Sequence, residues 1–157
     1  MVALALWGAW QLRSVVNENT VLATPADRAA IEWVAANTPP DARFLINAAP
    51  WLGAASRATD GGWWLLPLAG RWVSTPLVLF TYGPPDYVQA SIARSELVAT
   101  YKPGDEQAIL AMLRRDGIGY LYFGAKPGPM RPEAFAALPG FTTLYSKDGV
   151  TILAVGS

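Results

Sequence analysis

The sequence predicts an α/β fold, with a single layered domain in which helices flank a mixed sheet and which ends in a β-hairpin. Segments with the apolar spacing of helices alternate with short apolar runs that are typical of buried strands. Residues 141–155 form two extended runs around a glycine-containing SKDG turn, as expected of a hairpin. The length of 157 residues is enough for one domain with a sizeable core.

The first helix is predicted to run from Pro25 to Asn37. Thr24 is a suitable N-cap, proline is favoured at the first helical position, and Asp27 lies near the positive end of the helix dipole. The helix should end at the TPPD segment, because a residue before proline avoids the helical conformation. Its buried face is expected to consist of Ala30, Ile31, Val34 and Ala35.

The next segments predict a strand, a loop and a short helix. Residues 42–49, ARFLINAA, are apolar enough for a buried strand with a parallel neighbour. Residues 50–59 have no clear period and are expected to be a loop. Residues 61–69 predict a short helix that Asp60 caps and Gly70 ends.

The later elements are predicted to be extended runs at 71–80, helices at 86–100 and 105–116, a strand at 118–124 and a helical turn at 133–138. In the helix at 86–100, Val88 and Ile92 are expected to face inward, together with Ser95 or Leu97. Gly117 is expected to end the helix at 105–116, and arginines in its last turn suit the negative pole of the dipole.

The amino-terminal segment predicts contact with a membrane. Residues 1–12, MVALALWGAWQL, carry no charge, but as a helix they span only about 18 Å of a hydrocarbon core of about 30 Å. We interpret residues 1–13 as the end of a transmembrane or membrane-proximal helix whose beginning is missing. Residues 14–23 are then a connector, and residues 24–157 form the soluble domain. The alternative is an amphipathic helix that packs on the domain itself.

Composition narrows the classes of function. Twelve basic and twelve acidic residues, without a run of like charge, disfavour nucleic-acid binding. The chain has no cysteine and no histidine, so catalysis by a thiol or an imidazole is not expected. No metal site and no cofactor are expected either. Hydrophobic residues make up 52% and charged residues 15%, which is more apolar than an ordinary soluble domain and favours contact with membrane lipid.

Three stretches carry a resemblance to a known family: IEWVAANTPPDARFLINAAP, DGGWWLLPLAGR and GIGYLYFG. Together they resemble the extracytoplasmic C-terminal domain of bacterial GT-C-type multi-spanning membrane glycosyltransferases. More distantly, the chain is similar to the soluble core of the oligosaccharyltransferase catalytic subunit, where a W-x-x-x-x-T-P pattern precedes a WWDYG motif. Here that pattern is Trp33 to Pro39, and the tryptophan pair is followed by Leu65, Leu66 and Pro67 in place of Asp, Tyr and Gly.

The resemblance implies an accessory role. In such enzymes the catalytic carboxylates lie in loops of the membrane domain, so this domain would be non-catalytic and extracytoplasmic. It would help to bind the acceptor or the lipid-linked sugar donor of a membrane glycosyltransferase-like protein. The alternative is a small-ligand or protein-interaction α/β module that has no link to sugar transfer.

The candidate ligand-binding residues are Asp60, Trp63, Trp64, Arg71 and Tyr82. Adjacent helical tryptophans diverge by about 100°, so only one can face the core fully, and the other is free to stack on a sugar or rest on a bilayer. Asp60 and Arg71, the latter expected at the rim, are placed to bond hydroxyls or a phosphate. The alternatives are that Asp60 is only a helix cap and that both rings fill the core.

Glycoside hydrolysis is disfavoured, because it needs two facing acids. The only adjacent acids, Asp105 and Glu106, begin a helix, where acids stabilise the dipole.

Overall fold

The computed structural model describes residues 7, 8, 10, 21–53 and 55–156. Trp7, Gly8 and Trp10 have helical backbone, and both tryptophans are exposed. In the part of the chain that is described, no helix is long and apolar enough to cross a membrane. Residues 1–6, 9 and 11–20 of the expected membrane helix and connector lie outside the described residues, and residues 21–23 have no regular secondary structure.

The helices and strands follow the predicted order with a few corrections. The helices are α1 (Pro25–Asn37), α2 (Leu65–Ala69), α3 (Pro85–Ala99), α4 (Glu106–Asp116) and α5 (Pro132–Ala136), with 3-10 helices at Gly61–Trp64 and Val78–Tyr82. The strands are β1 (Arg43–Ile46), β2 (Ala48–Pro50), β3 (Ser56–Ala58), β4 (Trp72–Val73), β5 (Tyr120–Phe123), β6 (Phe141–Lys147) and β7 (Val150–Val155).

The expected mixed sheet is confirmed. Five strands lie in the order β4-β1-β5-β7-β6, and β1 is parallel to both β4 and β5. β7 is antiparallel to β5 and to β6, so the carboxyl-terminal hairpin completes the sheet. Asp148 and Gly149 both have positive φ at the hairpin turn, which matches the twist of the flanking strands.

The sheet has a hydrophobic cluster on each face, because successive strand residues point to opposite sides. Phe44 and Ile46 pack with α1 and α2 on one face, whereas Leu45 packs with α4 and α5 on the other. Leu121 and Tyr122 alternate in the same way on β5. The domain is therefore a layered α/β fold with one sheet between two helical layers.

Helix α1 has the predicted bounds and the predicted start. Thr24 Oγ1 accepts from the Asp27 amide, and the Asp27 carboxylate accepts from the Thr24 amide, which completes a capping box. Ala30, Ile31 and Val34 are buried as expected. Ala35 is exposed instead, so the buried face is narrower than the spacing predicted.

Three predicted segments differ from the structure. Residues 42–49 form two strands, since the chain leaves the main sheet at Asn47 and β2 pairs with β3 in a separate antiparallel hairpin. That hairpin occupies part of the expected loop at 50–59. The extended run at 71–80 is limited to β4, and residues 78–82 form a 3-10 helix.

In α3 the buried face is largely polar: Ser95 is buried as expected, whereas Val88 and Ile92 are only half-buried, so their expected inward placement is wrong. Buried hydrogen bonds account for the polar face: Ser95 Oγ lies 3.0 Å from Thr75 Oγ1, and Arg94 donates to Ser91 Oγ at 3.1 Å.

Candidate functional site at the carboxyl edge of the parallel strands

The parallel strands create a crevice where the strand order reverses. From β1 the chain first adds β4 on one side and later adds β5 on the other. The carboxyl ends of β1 and β5 lead to Asn47 and Gly124, respectively. In open α/β sheets, ligands bind in the crevice outside such a switch point.

Asp60 lies at this crevice and is fully buried. Its Oδ1 accepts a 2.9 Å hydrogen bond from the Gly62 amide, which confirms Asp60 as the cap of the helical element that follows it. Its Oδ2 accepts a 3.0 Å bond from the Gly124 amide, immediately after β5. Asp60 therefore joins the start of one helix to the end of a strand.

Asp27 is also fully buried and makes a parallel connection from α1. Its Oδ2 accepts from the Thr24 amide and hydroxyl at 2.8 and 2.7 Å. Its Oδ1 accepts from the Tyr122 hydroxyl at 2.9 Å and from the Ala125 amide at 3.1 Å. The same carboxylate that caps α1 thus also holds the residues around the end of β5.

The electrostatics of this pair follow from burial. Loss of water around Asp60 raises the pKa of its carboxyl to about 7, the amides of Gly124 and Gly62 oppose the rise, and the charge of Asp27 adds to it. Burial also raises the pKa of the Tyr122 phenol, and its negative neighbour Asp27 raises it further. Tyr122 therefore remains a neutral donor to Asp27, whereas Asp60 changes charge near neutral pH.

Glycines allow the two acids to approach the strand ends. A Cβ on Gly124 would lie 2.6 Å from Asp60 Cβ and 2.7 Å from Asp27 Oδ1. A Cβ on Gly61 would overlap the Asp27 carboxyl group, and one on Gly62 would lie 2.8 Å from the Ile46 side chain. These positions require glycine because the space for a side chain is already filled.

Asn47 holds the loop that follows β5. Its Oδ1 accepts from the Met130 amide at 2.9 Å, and its Nδ2 donates to the Met130 carbonyl at 3.3 Å. A Cβ on Gly128 would overlap the Asn47 side chain. Asn47 is almost fully buried and also hydrogen-bonds to Asp60, so the loop is fixed to the same group of side chains.

A cavity of about 230 Å³ opens between this loop and the strand ends. Gly124 and Ala125 line it from the end of β5, and Lys126, Arg131 and Glu133 supply its charged side chains. A volume below the roughly 300 Å³ of pockets for drug-sized ligands suits a headgroup-sized polar molecule. The cavity therefore offers two cations and one carboxylate to such a group.

The buried acids support the cavity and are poorly placed for catalysis. Each oxygen of Asp27 and Asp60 already accepts a hydrogen bond, and neither residue is accessible. A general acid or base must reach the proton that it transfers. Within the described part of the chain, no group of three or more acidic, histidine or cysteine side chains is arranged to hold a metal ion.

The predicted site residues do not converge on the cavity. Asp60 lies behind it, whereas Trp63 packs on the core and donates from Nε1 to the Thr75 carbonyl at 2.9 Å. Trp64 is 45% exposed on the outer side of the same element. The expectation of one inward and one outward tryptophan is therefore confirmed. Tyr82 is 88% exposed, at the end of the second 3-10 helix.

The expected position of Arg71 at a rim is wrong. The residue is buried, and its Nε donates to Thr38 Oγ1 at 3.0 Å. Its terminal nitrogens donate to the carbonyls of Ala69, Ala35 and Thr38 at 2.6, 3.1 and 2.8 Å. Arg71 thus neutralises carbonyl groups at the end of α1, where a cation is favoured by the helix dipole.

Sequence reasoning missed the roles of Asp27, Asn47 and the loop at 125–133. A signal was present, because Asp27 lies in the first turn of one helix, Asp60 caps another, and Gly124 follows β5. That signal predicts two caps, and it does not predict that both carboxylates meet the residues after β5.

Comparisons of the chain with protein-family models, with curated proteins and with solved structures give no match.

Proposed function

We propose that this chain is a non-catalytic extracytoplasmic domain of a membrane glycosyltransferase-like protein, and that its cavity helps to bind the acceptor or the lipid-linked sugar donor. One observation carries the proposal: the point where the chain enters the domain adjoins the cavity. Thr24 donates to one oxygen of Asp27, and the other oxygen accepts from Ala125, which lines the cavity.

This arrangement has a consequence for a tethered domain. If residues 1–12 are held in a membrane, the connector leads to the carboxyl edge of the sheet, where the cavity opens. A ligand that is itself anchored in lipid would then meet the cavity without leaving the membrane surface. Lys126 and Arg131 offer positive charge to its phosphate, and Glu133 offers a carboxylate to its hydroxyl groups.

The proposal assigns no reaction to this chain. We expect the purified chain to turn over no glycosyl donor, because both buried carboxylates are held in hydrogen bonds and the sequence has no histidine or cysteine. Measurable release or transfer of sugar by the chain would contradict this part of the proposal.

Crosslinking in vesicles tests the binding role. The full chain is reconstituted in phosphatidylcholine vesicles with a polyprenyl-phosphate-linked sugar that carries a photoreactive headgroup, and crosslinked peptides are mapped by mass spectrometry. We expect saturable labelling within residues 124–133 that unlabelled donor suppresses. Arg131→Gln should reduce the labelling. The matched control is Arg114→Gln, since Arg114 is exposed beside the opposite, amino edge of β5.

Equal labelling of both variants, or labelling only at the opposite edge, would overturn the proposal. The second candidate function, a small-ligand module without a link to sugar transfer, is favoured by the cavity alone, since a switch-point crevice needs no membrane. It predicts that a soluble sugar phosphate binds the full chain in detergent as tightly as the lipid-linked form and that Arg131→Gln weakens both equally.

A further inference from the structure

The short helical element after Asp60 has an uncharged, apolar outer surface. The ten residues from Gly61 to Gly70 carry no charge, and the charged residues on either side, Asp60 and Arg71, are both buried. Three large apolar side chains point outward from this element, and we call them the apolar ridge: Trp64 (45% exposed), Leu66 (42%) and Leu68 (60%).

Packing within the domain does not account for the apolar ridge. Leu65 and Ala69, one turn apart, already form the buried stripe that holds α2 on the core. A surface helix normally carries polar or charged residues opposite such a stripe. Exposed apolar surface of this size is often a functional contact surface.

The apolar ridge begins at the same end of the domain as the chain entry. Gly61 lies against Asp27 in the first turn of α1, and Arg71 reaches Ala35 and Thr38 at its far end. The element therefore runs beside α1 in the same direction. Leu68 borders a groove of about 420 Å³ that it shares with α1, including Ile31.

Charge near the ridge is balanced. Arg28 and Glu32 of α1 also line the groove, and their side chains form an ion pair at 3.1 Å. Entry of this surface into a less polar layer therefore requires no isolated charge to lose its water.

We propose that the apolar ridge rests in the interfacial layer of the membrane that holds residues 1–12. This inference depends on the membrane attachment in the proposed function and adds a second point of contact. The connector at 14–23 spans at most about 36 Å when fully extended, so the domain stays close to the bilayer. Indole rings collect at the membrane interface because they have an apolar body and a polar N–H group.

A second copy of the chain is a poorer occupant. A large side chain has about 150 to 250 Å² of surface that can be buried. Because about half of each of the three side chains in the apolar ridge is exposed, together they offer about 300 Å². A stable interface needs about 800 Å² from each partner. The apolar ridge is too small to hold a dimer by itself, whereas a bilayer requires no matching surface.

Site-specific fluorescence can test this contact, because the chain has no cysteine of its own. Leu68→Cys in the full chain is labelled with a polarity-sensitive fluorophore and mixed with phosphatidylcholine vesicles that contain lipids spin-labelled near the headgroup. We expect a blue shift and several-fold stronger quenching than for a label at Arg114→Cys, on α4 at the opposite face of the sheet. Both substitutions are at exposed positions, so folding should be preserved.

A third labelled variant, Trp10→Cys, separates the two hypotheses. Quenching at position 10 without quenching at position 68 would overturn the ridge contact and leave the membrane attachment intact. An absence of quenching at both positions would overturn the attachment on which this inference rests. A blue shift at position 68 without lipid quenching, together with a dimer in sedimentation equilibrium, would identify a second copy as the occupant and also overturn the proposal.

Discussion

The buried carboxyl of Asp60 should make the domain less stable as the pH rises towards neutrality. The pKa of this carboxyl is raised from 3.8 to about 7 in the folded protein, chiefly by burial. Between these values the folded state binds more protons than the unfolded state, so the free energy of unfolding falls with increasing pH. At 1.36 kcal/mol per pKa unit, the full loss is about 4 kcal/mol, and about 2 to 3 kcal/mol of it occurs between about pH 5 and pH 7.

The other acids with shifted pKa values affect the stability of the domain at lower pH than Asp60 does. The pKa of Asp116 is lowered by its hydrogen bond from Arg115, and that of Glu106 by its bond from Tyr101. Their contribution to stability is present above the unfolded pKa and is lost as the pH falls through the folded pKa. Above about pH 5 both acids are ionised in the folded and unfolded states, so the slope in this window reports Asp60.

Urea unfolding at half-unit pH steps measures the effect. The wild-type free energy of unfolding should decline across the window, whereas Asp60→Asn should be less stable and nearly independent of pH. The loss in stability arises because the amide group cannot accept from both Gly62 and Gly124. Asp86→Asn, at an exposed acid on α3, should retain the wild-type slope. A wild-type stability that is constant or rises over this range would refute the reasoning.

Three further predictions concern packing. Gly124→Ala should lower the free energy of unfolding by roughly 3 kcal/mol, because its Cβ would overlap Asp60 and Asp27, as denaturant titration can measure. Arg71→Met should cost about 3 kcal/mol and lower the melting temperature, since three hydrogen bonds to the end of α1 and one to the Ala69 carbonyl are lost. Trp63→Ala should cost about 3 kcal/mol, and Trp64→Ala less than about 1 kcal/mol.

Each of these has a matched comparison. Gly119→Ala has open space around the new methyl group and should be close to wild type; equal losses at positions 119 and 124 would show that the overlap is not the cause. Arg71→Met should be far more damaging than Arg114→Met, and similar small effects would argue against the buried cap. Equally severe losses for both tryptophan variants would show that Trp64 is also part of the core and would remove the basis for the apolar ridge.

Local signals in the sequence determined much of the secondary structure. Thr24, Pro25 and Asp27 specify the start of α1 whatever the helix packs against, since a capping box is satisfied within its own turn. Gly70 and Gly117 end their helices in the left-handed conformation, which glycine adopts at little cost. Aromatic and branched residues likewise predicted β5, and the SKDG turn predicted the terminal hairpin.

Tertiary structure decided where polar groups are buried. The face of α3 could not be predicted from apolar spacing, because Ser95 and Arg94 are buried against Thr75 and Asp116, which belong to other segments. Arg71 was expected at a rim for the same reason, since two of its three carbonyl partners, Ala35 and Thr38, lie more than thirty residues away at the end of α1. A charge is buried only where such partners converge, and sequence spacing does not reveal that convergence.

The candidate site also combines features that the sequence determined with features that only the tertiary structure decided. The sequence determined that Thr24 would cap α1, with Asp27 in its first turn, and that Asp60 would cap the next helical element, because a cap depends on amides two or three residues away. Only the parallel pairing of β1 with β5 brings both carboxylates to Gly124 and Ala125, and the crossover between those strands spans more than seventy residues. The cavity and the raised pKa of Asp60 result from this long-range pairing, because burial by distant segments removes water that local sequence leaves in place.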